Sequence, residues 1–141
     1  MRNPIDPKAE EILVQRFHRD ALIAIATLDG DLPAVRNVDG YYEDGSFYVV
    51  TYALSNKMLQ IAKNPAVAVS GEWFTGRGTG RNIGHPRDPE NAELAVRLRE
   101  AFAAWYEHGH VDENDPHTCI LRIDLTSGVL MNEGTRYELT F

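Results

Sequence analysis

Positive charge is in short supply in this chain. Lys and Arg total 14 against 21 Asp and Glu, for a net charge of −7 at pH 7 and a pI near 5.1. A nucleic-acid partner would need a basic face, so none is expected, although a local basic patch is compatible with the total. Cysteine is nearly absent. The single Cys119 excludes an intrachain disulfide and suits a reducing cytosol. No apolar run approaches the length of a membrane span, so no membrane partner is expected. Met1-Arg2-Asn3-Pro4 lacks the apolar core of a signal peptide, and a cytoplasmic location is expected. There is no internal repeat and no Gly-x-Ser-x-Gly elbow, and Cys119 alternates with Leu121, Ile123 and Leu125 as a buried strand thiol would. Nucleophilic catalysis by the protein therefore has little support, and no catalytic residue is assigned.

What is present suffices for one domain, residues 1–141, with 43% hydrophobic residues to build a core. Asp6-Pro7 reads as the N-cap and first turn of a helix, with Ala9, Ile12, Leu13 and Phe17 facing inward. Ala21 to Leu28 is almost continuously apolar, the pattern of a strand buried on both faces. Asp29-Gly30-Asp31 and Glu43-Asp44-Gly45 are turns that bound a second strand, Ala34 to Tyr42. Ser46 to Thr51 is a third strand, Ser55 to Lys63 a short helix stopped by Asn64-Pro65, and Ala66 to Phe74 a fourth strand. Gly76 to Gly84 reads as a strand or extended loop closely approached by another backbone or a ligand, or as a flexible loop. Asp88-Pro89 opens the longest helix, running to about Tyr106 on a stripe of Leu94, Leu98, Ala101, Phe102 and Trp105. Thr118 to Leu125, Gly128 to Met131 and Thr135 to Phe141 close the chain as β-structure. The absence of β–α alternation argues against a doubly wound sheet and for an antiparallel barrel, mainly β with three helices.

Residues 51 to 65 carry the most chemistry. Thr51 ends a strand, Ser55 suits an N-cap, and Lys57 lies in the first helical turn. Two hydroxyls, a lysine and free backbone N–H groups suit a phosphate monoester. An ordinary capped helix with a solvated lysine fits the same residues. His85, His108, His110 and His117 with Cys119 lack zinc-ligand spacing. They read as a polar helix-to-strand loop, with no metal expected and a ligand hydrogen bond from one histidine left open. Of Tyr41, Tyr42, Tyr48 and Tyr52, at least half should serve packing.

The series Thr-x3-Ser-x-Lys, a short helix ending in Asn-Pro, Val67-Ala68-Val69 and Trp73, preceded by Pro33-Ala34-Val35-Arg36-Asn37-Val38, resembles the pyridoxamine 5′-phosphate oxidase-like family over Ile23 to Phe74. The resemblance implies an FMN-binding split β-barrel that is obligately dimeric, with the flavin in a groove between subunits. It places the phosphate on Thr51, Ser55 and Lys57 with Asn56 assisting, and the flavin edge on Arg36, Asn37 and Val38. Arg36 is implied as the group that tunes the flavin potential. Trp73 would pack near the ring or the dimer seam, and Gly76 to Gly84 would reach the other subunit's cofactor. Two departures stand out. Asn56 occupies a position where members with the namesake activity carry arginine, and the Gly134–Phe141 ending lacks their Arg-Leu-x-Pro. The function implied is therefore an FMN-dependent oxidoreductase acting on another small molecule. The alternatives are a carrier or sensor of flavin, deazaflavin or haem without turnover, and a dimeric barrel without cofactor.

Overall fold

The computed structural model describes residues 5–141. Seven strands and three α-helices follow in the order α1 (Pro7–Phe17), β1 (Ala21–Asp29), β2 (Leu32–Glu43), β3 (Ser46–Tyr52), α2 (Asn56–Lys63), β4 (Ala66–Gly71), β5 (Phe74–Asn82), α3 (Ala92–Ala101), β6 (Thr118–Asn132) and β7 (Thr135–Thr140). The sheet runs β3-β2-β1-β4-β5-β6-β7, and a further pairing of β3 with β6 closes six strands into an antiparallel barrel. β7 lies outside, on the second half of β6. Closure removes most sheet edges.

The barrel is filled by its own side chains, as a small barrel must be. Phe17, Phe47 and Phe74 meet at ring centroid distances of 5.6, 5.8 and 6.3 Å, with Ile23, Ile25, Val49, Leu121 and Ile123 around them. α1 closes the end near Gly71, where Phe17 packs, and α2 the end near Gly80, where Ile61 packs. α3 covers part of the outer face. Leu98, Phe102 and Tyr106 form a second cluster with Tyr41, Tyr48, Val50 and Ile120.

The expected elements are recovered, with four corrections, and one open alternative, at the glycine-rich segment, is resolved. β1 is buried on one face only: Ile23, Ile25 and Thr27 point inward, while Leu22 stands 69% exposed on the outer face. Among the described residues no helix lines the groove on the outer face of β1 and β4, so the apolar run does not signal burial within one chain. The fourth strand stops at Gly71, because Glu72-Trp73 forms a tight turn with Trp73 at φ +50 and Phe74 begins β5. The glycine-rich segment, open between a strand and a flexible loop, is this regular strand as far as Asn82. Gly76, Gly78 and Gly80 point inward, and a Cβ at Gly78 would lie 2.2 Å from the Asp124 carbonyl oxygen, where the β5–β6 register shifts. Another backbone, that of β6, is what comes close. The third helix is shorter than its stripe. Pro89–Asn91 is a 3-10 turn, α3 stops at Ala101, and 102 to 108 continue as turns on mixed hydrogen bonds. Finally, the two β-segments expected after Pro116 are one strand, β6, long enough to pair with β3, β5 and β7.

Candidate functional site

β2 and β3 are paired only over Tyr41–Glu43 and Ser46–Tyr48, then diverge. Beyond that point β2 is held by β1 alone and β3 by β6 alone. The split leaves one edge of each strand without a ladder partner, and backbone polar groups so exposed seek a bonding partner. A cleft of about 170 Å³ occupies the gap, lined by Arg36, Asn37, Val38, Asp39, Val49, Val50, Thr51, Lys57, Trp105 and His110.

α2 closes the barrel end beside this cleft. Asn64-Pro65 ends it as expected, and Met58 and Ile61 bury its apolar face. Ser55 is its N-cap, but the hydroxyl makes no capping bond; it instead accepts a long 3.4 Å contact from Lys57 Nζ. Lys57 is half-buried, and burial first, then the nearby Arg36 charge, pull its pKa below the usual lysine value. Arg36 is also half-buried, with its pKa lowered by burial. Its Nη1 donates to Thr27 Oγ1 at 2.7 Å and its Nη2 to Gln60 Oε1 at 3.1 Å, both neutral acceptors. Among the described residues neither cation has a carboxylate within ion-pair distance. Two neighbouring, partly desolvated, unneutralised cations favour an anionic ligand.

The opposite wall comes from the turns after α3. Trp105 and His110 stack at 5.2 Å with planes 15° apart, and Trp105 Nε1 donates to Asp20 Oδ2 at 3.1 Å. Burial, then the neighbouring Asp39 carboxylate, raise the Asp20 pKa.

Of the residues expected from the sequence, Arg36, Asn37, Val38, Thr51 and Lys57 line one cleft, and Ser55 touches Lys57. Asn56 instead lines an open concavity with Leu28, Asp29 and Gln60. Trp73 is 72% exposed in the β4–β5 turn and does not line the cleft of its own chain. Sequence reasoning missed Trp105 and Asp39 as cleft residues. Trp105 sits on a helix-spaced apolar stripe, which reads as core, and its second role arises only when the chain folds back over β2 and β3. His110 is one of the histidines for which the sequence leaves a ligand hydrogen bond open. Cys119 is buried as expected, and burial pushes its thiol up to about 11. No group of three or more His, Cys, Asp or Glu among the described residues could hold a metal ion. No described helix is long and apolar enough to cross a membrane.

A second, shallower groove of about 640 Å³ crosses the outer barrel face, lined by Ala24, Ala26, Val35, Ala68, Gly128 and Val129 among others. Its floor is made mostly of small and apolar residues, with Arg77 and Glu138 also lining it.

No protein-family model matches the sequence, and no curated protein matches it. Solved structures do match. A Clostridium acetobutylicum protein related to general stress protein 26, of the pyridoxinephosphate oxidase family, is 14% identical with a TM-score of 0.65, over 95% of this chain and 92% of that one. A FAD-binding protein from Mesorhizobium loti is 14% identical with a TM-score of 0.60, over 89% of this chain and 94% of that one. A heme-binding protein from Mycobacterium smegmatis is 15% identical with a TM-score of 0.66, over 86% of this chain but 53% of that longer one. The fold is thus the split β-barrel of the pyridoxamine 5′-phosphate oxidase-like proteins, among which flavin and haem binders occur.

Proposed function

We propose that this protein binds FMN in the β2–β3 cleft and acts in the cytoplasm, as a homodimer, as an oxidoreductase of a small molecule. The observation that carries the reading is the pair Arg36 and Lys57: two half-buried cations without a carboxylate partner among the described residues, beside Thr51 at the open edges of two strands. Lys57, with Thr51 and Ser55, would hold the phosphate through charge-assisted and hydroxyl hydrogen bonds. Arg36 would place positive charge beside the flavin edge, and the open edge of β2 at Asn37 and Val38 would meet its polar rim. Asn56 and Trp73 would contribute only across an assembled interface, since neither lines the cleft in one chain.

Bound flavin would supply the hydride or electron transfer, so the protein need provide only binding, orientation and electrostatics. That division fits a site with no activated nucleophile. The buried thiol of Cys119 is shielded rather than activated.

Size supports a shared site. The cleft holds about 170 Å³ in one chain, whereas sites for ligands of this size usually run to about 300–1,000 Å³. A second copy laid on the bare outer face would complete it. Val35, in the groove of that face, stands 71% exposed, with Leu22 69% exposed on β1 and Trp73 72% exposed in the β4–β5 turn, and covering such apolar side chains favours association.

The test is the ligand itself. Protein purified under native conditions should show flavin absorbance, and mass spectrometry of the molecule released on denaturation should return FMN. Oxidation of a nicotinamide cofactor coupled to a second acceptor then separates an enzyme from a carrier. A Soret band, a deazaflavin mass, or failure of added FMN to bind would each reject the FMN assignment.

A further inference from the structure

We propose that the Trp105–His110 stack is a ring-recognition wall of the β2–β3 cleft, specific for planar heteroaromatic groups, and that Glu113 is the residue that positions it. The inference rests on the flavin-site reading above and assigns the half of the cleft which that reading leaves undescribed.

The cleft is asymmetric. Its cations, Arg36 and Lys57, lie toward α2, while Trp105 and His110 come from the turns between α3 and β6. The two rings are close to parallel, 15° apart at 5.2 Å. Trp105 cannot easily turn away. Its Nε1 is held by Asp20, and its ring packs on Phe102 at 5.0 Å and Tyr106 at 5.9 Å. His110 is exposed, and among the described residues its ring nitrogens make no hydrogen bond. A fixed aromatic face topped by an imidazole with free polar atoms suits a flat ring bearing hydrogen-bonding edges.

No regular element supports this wall, since residues 102 to 117 are turns and bends. The anchor is Glu113. Its carboxylate accepts Arg99 Nε at 2.8 Å and Nη2 at 2.9 Å, Arg87 Nε at 3.3 Å, and the Tyr106 hydroxyl at 2.5 Å. Arg99, then Tyr106 and Arg87, outweigh burial and hold its pKa down at about 2. One carboxylate thus pins the turn to α3 on one side and to the residue next to Trp105 on the other. A bidentate arginine–carboxylate pair fixes direction as well as distance.

The experiment compares FMN with riboflavin, which has the ring but no phosphate, by fluorescence titration of apo-protein. His110→Ala and Trp105→Phe should each weaken both ligands by a similar factor, about three- to tenfold. Lys57→Met should fall on FMN far more than on riboflavin. Glu113→Gln should behave like the wall variants, and its effect should vanish when combined with His110→Ala, because it acts through that wall. Trp105→Phe keeps an aromatic in the packed cluster, and His110 is exposed, so both should fold; circular dichroism checks this. Unchanged riboflavin affinity in His110→Ala and Trp105→Phe, with Lys57→Met still weakening FMN, would overturn the wall and leave the phosphate site standing. A Glu113→Gln effect that simply adds to that of His110→Ala would overturn the positioning role. Wild-type protein that binds neither flavin would overturn this inference and the flavin-site reading together.

Discussion

Replacing Lys57 by methionine separates ligand binding from folding. The side chain is half-buried, its one side-chain hydrogen bond among the described residues is the 3.4 Å contact to Ser55 Oγ, and the Arg36 cation lies near enough to lower its pKa. In the apo-protein the ammonium therefore loses hydration and gains no counter-ion. Methionine keeps most of the aliphatic stem and removes that burden, so apo stability should hold or rise. With FMN the sign reverses. A hydrogen bond to a charged group is worth about 1.5–3 kcal/mol, so the dissociation constant should rise about ten- to a hundredfold. The pH dependence follows from the direction of the shift. Because the folded pKa lies below the ordinary 10.5, the unfolded chain binds more protons between the two values, and the lysine's penalty shrinks as pH rises through that window. The stability advantage of Lys57→Met should therefore narrow from pH 7 toward 10.5. Flavin fluorescence titration and denaturant melts of apo-protein at both pH values measure these quantities. Unchanged FMN affinity would remove the phosphate assignment. A clear loss of apo stability at pH 7 would mean that the ammonium has a stabilising partner, contrary to the argument.

Arg36→Gln should make bound flavin harder to reduce, because the reduced anion loses a nearby cation; equilibrium reduction against a reference dye reads this, and a potential that stays put or rises would contradict the placement. The protein should be dimeric at micromolar concentration, and Val35→Glu, on the bare outer face, should dissociate it and release FMN; light scattering that finds a wild-type monomer with stoichiometric FMN would sink the shared site. Gly78→Ala should destabilise by about 1–3 kcal/mol or more, since its Cβ would meet a backbone oxygen 2.2 Å away. Gly80→Ala should be milder, because its nearest obstacle is a Val67 side-chain methyl at 3.0 Å; equal denaturation midpoints for the two variants would show that the barrel wall can shift at Gly78.

Local features of this protein were legible in its residues because local physics decides them. Asp6-Pro7 caps α1, Asn64-Pro65 stops α2, and the alternation around Cys119 marks a buried strand. The apolar stripe of α1 is the face it buries, because a helix of 3.6 residues per turn brings Ala9, Ile12, Leu13 and Phe17 to one side. Thr51 and Lys57 could be named as candidate ligand contacts because a strand end and a helix start expose side chains and N–H groups wherever they occur, whereas Arg36, in the middle of β2, is named only by the family resemblance. Long-range closure was not legible in that way. Whether Ala21–Leu28 is covered on its second face depends on where other elements lie, and among the described residues no helix lies there. The roles of Gly78 and Trp105 likewise depend on residues far along the chain. Gly78 answers to the β6 backbone at Asp124, and Trp105 to Asp20 and the gap between β2 and β3. That gap exists because β2 and β3 stop pairing after Tyr41 and Tyr48, each being held on its other edge by a different strand. Composition and spacing thus determined which elements form and which residues carry charge. Only the closing of the barrel decided which of those residues meet, because strand pairing across distant segments is settled by the packing of the whole chain.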